Sequence, residues 1–225
     1  MKILDTQNKI YLLNDEKLEF PTLNMMGDDL VCIGGDFNPN RLVLAYKNGL
    51  FPWYIDEYNY IHWFSPQKRM LLYPDDFRLT KSLKRTLKNK NFIIKSNENF
   101  EAVIKNCSNI KRKNEDDTWI SDEFIKAYTH LHHLGVAISI ECYLEDELVG
   151  GLYGLIIGDI FCGESMFSKV SNASKVAFYH LCNQSKQNSI RVIDCQVYND
   201  HLASLGAKEI TRDEYFKILE NNKYD

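Results

Sequence analysis

The sequence predicts an α+β fold in two parts, a small amino-terminal α/β domain over residues 1–66 and a main domain over residues 67–225, divided at Ser65-Pro66. Two observations carry this. The runs 136–144, 147–157 and 159–166 are β-rich and separated by turn residues at Asp146 and Gly158-Asp159, which predicts an antiparallel meander. After them come a helix over 172–182, a buried strand over 191–197, a short helix over 200–205 closed by Gly206, and a strand over 208–210.

The remaining elements follow in order. Residues 1–24 read as short strands and turns, with Ile10-Tyr11-Leu12-Leu13 the clearest strand. Residues 39–46 form a helix capped by Asn38 and ended by Gly49, and Phe51-Pro52-Trp53-Tyr54 is a loop or extended segment. A strand near 69–73 precedes a basic amphipathic helix, and 92–95 is a second strand. Helices follow over 100–107, capped by Asn99 or Asn97, and over 122–134, stopped by Gly135.

Composition bounds the function. An apolar content of 44% with 26% charged residues is that of a soluble globular protein. No apolar run reaches the length of a membrane span, and the first residues lack a signal-peptide core. The six cysteines are scattered with no C-x-x-C pair, which points to free thiols in a reducing cytoplasm. A net charge of −4 argues against a general nucleic-acid coat, yet the stretch 78–95 carries only basic charges. Leu83 and Leu87 recur at helical spacing there, placing Lys81, Lys84, Arg85 and Lys88 on one solvent face. That stripe, with Lys111-Arg112-Lys113, is either a solvated face or a phosphate contact.

The chemistry is concentrated in Gly150–Ala207. Phe161-Cys162-Gly163-Glu164-Ser165-Met166 and Ile193-Asp194-Cys195-Gln196 set polar groups inside apolar strands, and burying them costs kilocalories unless they are paired. Asp194 and Gln196 stand two apart on one strand and so on one face. There a carboxylate can orient an amide and draw charge from an attacking amine. Alternatively, the two form an internal pair that fixes the strand. Asn199 could orient a substrate or cap the next helix. No phosphate-binding G-x-x-x-x-G-K-[ST] loop occurs, and none of the Q/R-x-x-G-x-G/A turns that hold coenzyme A. His130, His132 and His133 lack the i, i+4 spacing of helical metal ligands, and no metal or cofactor is expected. A Cys162 or Cys195 nucleophile paired with His201 is disfavoured by apolar surroundings that raise a thiol pKa.

These motifs resemble the leucyl/phenylalanyl-tRNA–protein transferase family over roughly residues 30–215. The resemblance rests on Ile33-Gly34-Gly35-Asp36, Gly49-Leu50-Phe51-Pro52-Trp53, Trp63-Phe64-Ser65-Pro66, Thr118-Trp119-Ile120, Ala127-Tyr128 and the Gly150–Ala207 stretch. The late strand–helix–strand pattern resembles the GCN5-related acetyltransferase fold, in which two strands splay apart. The resemblance implies transfer of Leu, Phe or Met from aminoacyl-tRNA (Leu-tRNA, Phe-tRNA) to proteins with amino-terminal Arg or Lys, whose products pass to Clp-type proteolysis in the cytoplasm. It implies that Trp53 and Trp119 sandwich the terminal adenine, that Gln196 contacts the incoming amine and that Asp194 polarises it. Glu164 is assigned to the acceptor or adenosine side. Leu152, Met166, Phe178, Leu181 and Ile193 match the lining of the amino-acid pocket. Leu181 and Ser185, four apart, replace aromatics expected there and predict a roomier base that favours Phe. Two rivals remain: a coenzyme A-dependent acyltransferase of the same fold, and a non-catalytic binder of tRNA 3′ ends.

Overall fold

The computed structural model describes residues 1–110, 120–185, 187 and 189–222. It is a mixed α/β structure built on two sheets. The first part contains β1 (Lys2–Asp5), β2 (Ile10–Leu12), β3 (Leu30–Ile33), α1 (Pro39–Lys47), β4 (Phe51–Ile55) and β5 (Ile61–Phe64). Its strands form a five-stranded sheet in the order β1-β2-β3-β5-β4. Asn38 caps α1, its side chain accepting from Asn40 N, and Pro39 supplies a first-turn position where no backbone N–H is needed.

The second sheet begins with β6 (Lys68–Leu72). Along the chain follow α2 (Lys81–Asn89), β7 (Ile93–Ser96), α3 (Phe100–Ser108), α4 (Asp122–His133), β8 (Ala137–Leu144), β9 (Glu147–Ile157) and β10 (Ile160–Ser168). Then come α5 (Ala173–Ser185), β11 (Val192–Gln196), α6 (Asp200–Ser204), β12 (Lys208–Thr211) and α7 (Arg212–Glu220). The sheet order is β12-β6-β11-β10-β9-β8-β7. The meander β8-β9-β10 is antiparallel as the turn residues predict, whereas β10 and β11 run parallel.

Two apolar clusters cover the two faces of this sheet. One joins Val31, Trp63 and Leu42 of the first part to Phe124, Tyr128, Leu155 and Val192 of the second. The other lies under α2 and α5 and holds Leu83, Phe178, Leu181 and Ile193. Alternate residues of β11 serve the two clusters, as a strand buried on both faces requires.

Of the two alternatives for residues 51–54 the structure takes the extended one, the strand Phe51–Ile55, admitted because Pro52 lies on the edge strand of its sheet, where a missing N–H is tolerated. The structure departs from the sequence reading at three elements. β3 and β5 are four residues long and carry too little alternation to be read. The helix Arg212–Glu220 has a reciprocal capping box between Thr211 and Glu214, a signal that the sequence does contain.

Candidate active site

The β10–β11 pairing lasts only from Ile160↔Val192 to Cys162↔Asp194. Beyond it lies a cavity of about 580 Å³, bordered by both strands, by β4 and by α5 and α6. Each strand carries a bulge at this point. In β10, Gly163 faces Gly154 and Ser165 faces Tyr153, so Glu164 is the extra residue. A Cβ at Gly154 would meet Cys162 O at 2.2 Å, so the close approach of β9 to β10 here requires glycine. In β11 the register shifts between Asp194 and Gln196, and Gln196 takes a left-handed φ of 63°. Bulges re-aim side chains, and this pair turns Glu164 and Gln196 toward each other across the parting strands.

Gln196 Nε2 donates to Glu164 Oε1 at 2.7 Å, and Tyr46 OH donates to the same oxygen at 2.6 Å. Tyr128 OH lies 2.5 Å from Tyr46 OH. Helices α1 and α4, from either side of the sheet boundary, thus converge on one carboxylate. Burial pushes Glu164 up to about 7, and the tyrosine and Gln196 contacts only partly offset it. Both tyrosines are held well above their ordinary range, first by burial and then by Glu164, so they keep their protons. A carboxylate oxygen accepts, which fixes the amide: its NH2 faces Glu164 and its carbonyl oxygen faces away. That carbonyl oxygen accepts no hydrogen bond among the described residues, and Gln196 lines the cavity.

Asp194 is fully buried beneath this pair. It accepts from Arg69 Nε at 2.8 Å, Arg69 Nη2 at 2.6 Å, Tyr215 OH at 2.7 Å and the backbone N–H of Gln196 at 2.9 Å. Four donors occupy the four lone-pair sites of a carboxylate. Its side chain therefore meets Gln196 through the backbone of the bulge, and the carboxylate beside the amide is Glu164. Arg69 also donates to Gly49 O at 3.2 Å and lies between the rings of Phe51 and Tyr215. Burial works against its charge, but Asp194 holds the guanidinium above its ordinary value.

The cavity brings together Trp53, Leu152, Glu164, Met166, Phe178, Ile193, Gln196 and Asn199. Trp53 is half-buried and packs edge-on against Phe64 at 4.8 Å, while Trp63 is fully buried with its indole N–H on Gly34 O. Asn199 caps α6, its side chain accepting from His201 N at 2.9 Å and Leu202 N at 3.3 Å. Leu181 requires a correction: it is buried in the core and does not line the cavity. Ser185 is also absent from the lining, its hydroxyl bonded to Leu181 O at 2.7 Å. The expected shift in Phe preference from these two positions therefore loses its geometric basis. Lys81, Lys84, Arg85 and Lys88 are all exposed on α2. Trp119 and Lys111-Arg112-Lys113 lie outside the described residues.

Burial raises the thiols of Cys162 and Cys195, so neither presents a ready thiolate. Among the described residues no group of three histidines, cysteines or carboxylates could hold a metal ion. No helix of the described residues is long and apolar enough to cross a membrane. Four site residues had no role in the sequence reading: Tyr46, Tyr128, Arg69 and Tyr215, although Tyr128 stands in a motif that carries the resemblance. Arg69 had a signal, an arginine leading directly into Met70-Leu71-Leu72.

Comparison with known proteins defines first a class, that of the transferases. A family described as leucyl/phenylalanyl-tRNA protein transferase matches residues 71–220, and its amino-terminal domain matches residues 35–67. A relative from Flavobacterium johnsoniae named leucyl/phenylalanyl-tRNA–protein transferase is 48% identical over 94% of this chain and 99% of its own. A namesake from Dechloromonas aromatica is 50% identical over 87% and 85%. The chain belongs to the leucyl/phenylalanyl-tRNA–protein transferase family. Among solved structures, FemX is similar at 11% identity and a TM-score of 0.44, covering 80% of this chain and 71% of that one.

Proposed function

We propose that this enzyme transfers Leu, and also Phe and Met, from aminoacyl-tRNA to the α-amine of proteins with amino-terminal Arg or Lys. The observation that carries the reading is the open carbonyl oxygen of Gln196, fixed by Glu164 in the gap between two parting strands. An amine N–H donating to that oxygen has its lone pair aimed into the cavity, where the ester carbonyl would sit. Glu164 accepts the proton that the acceptor ammonium must lose. The amine then attacks, the C–N bond forms, and the bond to the ribose oxygen breaks. The second nitrogen proton leaves with that oxygen through the neighbouring 2′-hydroxyl. Asp194 acts as a positioning residue, pinning the bulge that presents Gln196.

The strand separation supports a GCN5-related acetyltransferase-like main domain, and residues 1–66 form a domain of their own that delivers Tyr46 and Trp53. Leu152, Met166, Phe178 and Ile193 make the amino-acid pocket, Met166 adapting its shape to different apolar side chains. The donor is an activated ester, so no cofactor is needed. Reaction in the cytoplasm, where charged tRNA is found, would mark acceptors for Clp-type degradation. Incubating labelled Leu-tRNA or Phe-tRNA with an Arg-starting peptide should add one residue by mass; no added mass would leave a tRNA-end binder. Acetyl-CoA should support no transfer.

Two predictions concern the donor. Trp53→Ala is expected to weaken an aminoacyl-adenosine analogue by about 1–3 kcal/mol, the worth of one base stacked on an aromatic ring. Unchanged affinity in a calorimetric titration would remove Trp53 from the adenine site. Changing Lys84, Arg85 and Lys88 together to Gln should weaken all charged tRNAs alike and flatten the slope of log affinity against log salt by about 2–3. An unaltered slope would return α2 to a solvated face.

A further inference from the structure

The cavity has a second polar end that the proposed chemistry does not use, on the face of the sheet covered by α5 and α6. Ser174 lines it from the first turn of α5. The residue is 6% exposed, and its hydroxyl has no hydrogen-bond partner among the described residues. His201 lines the same cavity from α6, and its Nε2 is buried without a partner. A buried ring nitrogen with nothing to bond is costly unless a ligand completes it, and the Ser174 hydroxyl opens onto the same cavity.

Two lysines flank this end, and the one acidic neighbour on α6, Asp200, is exposed and accepts from Tyr198 OH at 2.8 Å. No acidic residue occurs between Glu164 and Asp194, a stretch that includes Lys169 and Lys175. Lys169 Nζ lies over the ring of Phe167, itself part of the cavity wall, at 5.9 Å. Lys175 is half-buried next to Ser174 and close enough to help keep His201 neutral, after burial. A neutral imidazole can donate one N–H. The start of α5 is drawn close to the sheet because β9 has Gly150 there; a Cβ would meet Ala173 Cβ at 2.5 Å. Ser168 Oγ accepts from Ser174 N, and no hydrogen bond is made by the next N–H, that of Lys175, among the described residues. A 13-residue helix ends here with its positive pole at the cavity. Asn172 Nδ2 bonds Thr86 Oγ1 at 2.8 Å, so the basic helix α2 adjoins this helix start.

Building on the proposed use of a nucleotide ester, we propose that the start of α5 binds a backbone phosphate of the donor's 3′ end, through Ser174 Oγ, the Lys175 N–H and ammonium, and His201 Nε2. The phosphate chain would then lead from this point outward over α2. The site takes a monoanionic phosphodiester, and it favours a donor with nucleotides before the terminal adenosine over adenosine alone.

The test measures binding of two stable, amide-linked leucyl dinucleotide analogues, one with a phosphodiester linkage and one with an uncharged methylphosphonate. Binding is read directly, so a failure of the transfer reaction leaves this result interpretable. Wild-type protein should prefer the diester by about tenfold or more in Kd, as expected for hydrogen bonds to a charged group. The preference should fall toward unity in Ser174→Ala and, as a half-exposed change that spares the core, in Lys175→Gln. Equal binding of both analogues by the wild type overturns the proposal. So does a preference that survives in both variants, or one lost only when Lys84 and Arg85 are changed.

Discussion

Asp194→Ala is expected to cost about 3–5 kcal/mol of folding stability, because it leaves a buried guanidinium without its counter-charge. Arg69 and Asp194 are 1% and 0% exposed in their side chains and 2.6 Å apart, so water cannot replace the lost partner. Tyr215 OH and the Gln196 N–H lose their acceptor as well. Urea denaturation should show a midpoint shift well beyond that of Gln196→Ala, whose side chain makes one bond at the cavity edge. The double change Arg69→Met with Asp194→Leu should recover much of the loss, since an apolar pair of similar volume is often tolerated. A wild-type midpoint in Asp194→Ala would refute the account. The distinction matters because inactivity of an unfolded variant says nothing about chemistry. Reduced transfer by Asp194→Ala therefore identifies a positioning residue only where the protein remains folded.

The sequence carried the meander, the capped helices and part of the cavity wall because those signals are local. Asn38, Asn99 and Asn199 cap helices through bonds to residues two or three positions on, and such contacts are written in neighbouring letters. Polar residues within apolar strands pointed to Glu164, Asp194 and Gln196 for a similar reason. The partnership among them was not legible. Period-two alternation makes Asp194 and Gln196 a pair, but a bulge at Cys195 and a second at Glu164 give Gln196 to Glu164 instead. Bulges insert one residue without a sequence mark of their own. The tyrosines that complete the site are 118 and 36 residues before Glu164, far beyond any local pattern. Leu181 shows the converse limit: helical spacing correctly makes it apolar and buried, yet burial in the core and exposure to a cavity read identically in sequence.

Gln196→Ala should lower kcat about a hundredfold with binding of charged tRNA nearly unchanged, the scale of a misaligned nucleophile. Glu164 offers a sharper discriminator through pH. With Glu164 ionising at about 7, it is protonated and unable to accept below that value, so turnover should rise as pH passes through about 7. The acceptor amine titrates separately at about 7.7–8.0. Glu164→Gln should therefore be slow throughout and keep only the later rise, moving the midpoint upward by about one unit. Stability runs the other way. The folded-state pKa is above the ordinary value of 4.5, so the neutral form's stabilisation is complete below that value and is lost as pH rises through about 7. Glu164→Gln should thus flatten the pH dependence of stability while removing the earlier limb of the rate profile. Tyr46→Phe provides the check on position. It keeps the ring and Glu164 but removes the hydroxyl that donates to Oε1, so the carboxyl should ionise at higher pH and the limb should move up with it. A rate profile with the wild-type midpoint in both variants would assign the proton to the substrate's own ribose hydroxyl and leave Glu164 only the task of holding Gln196.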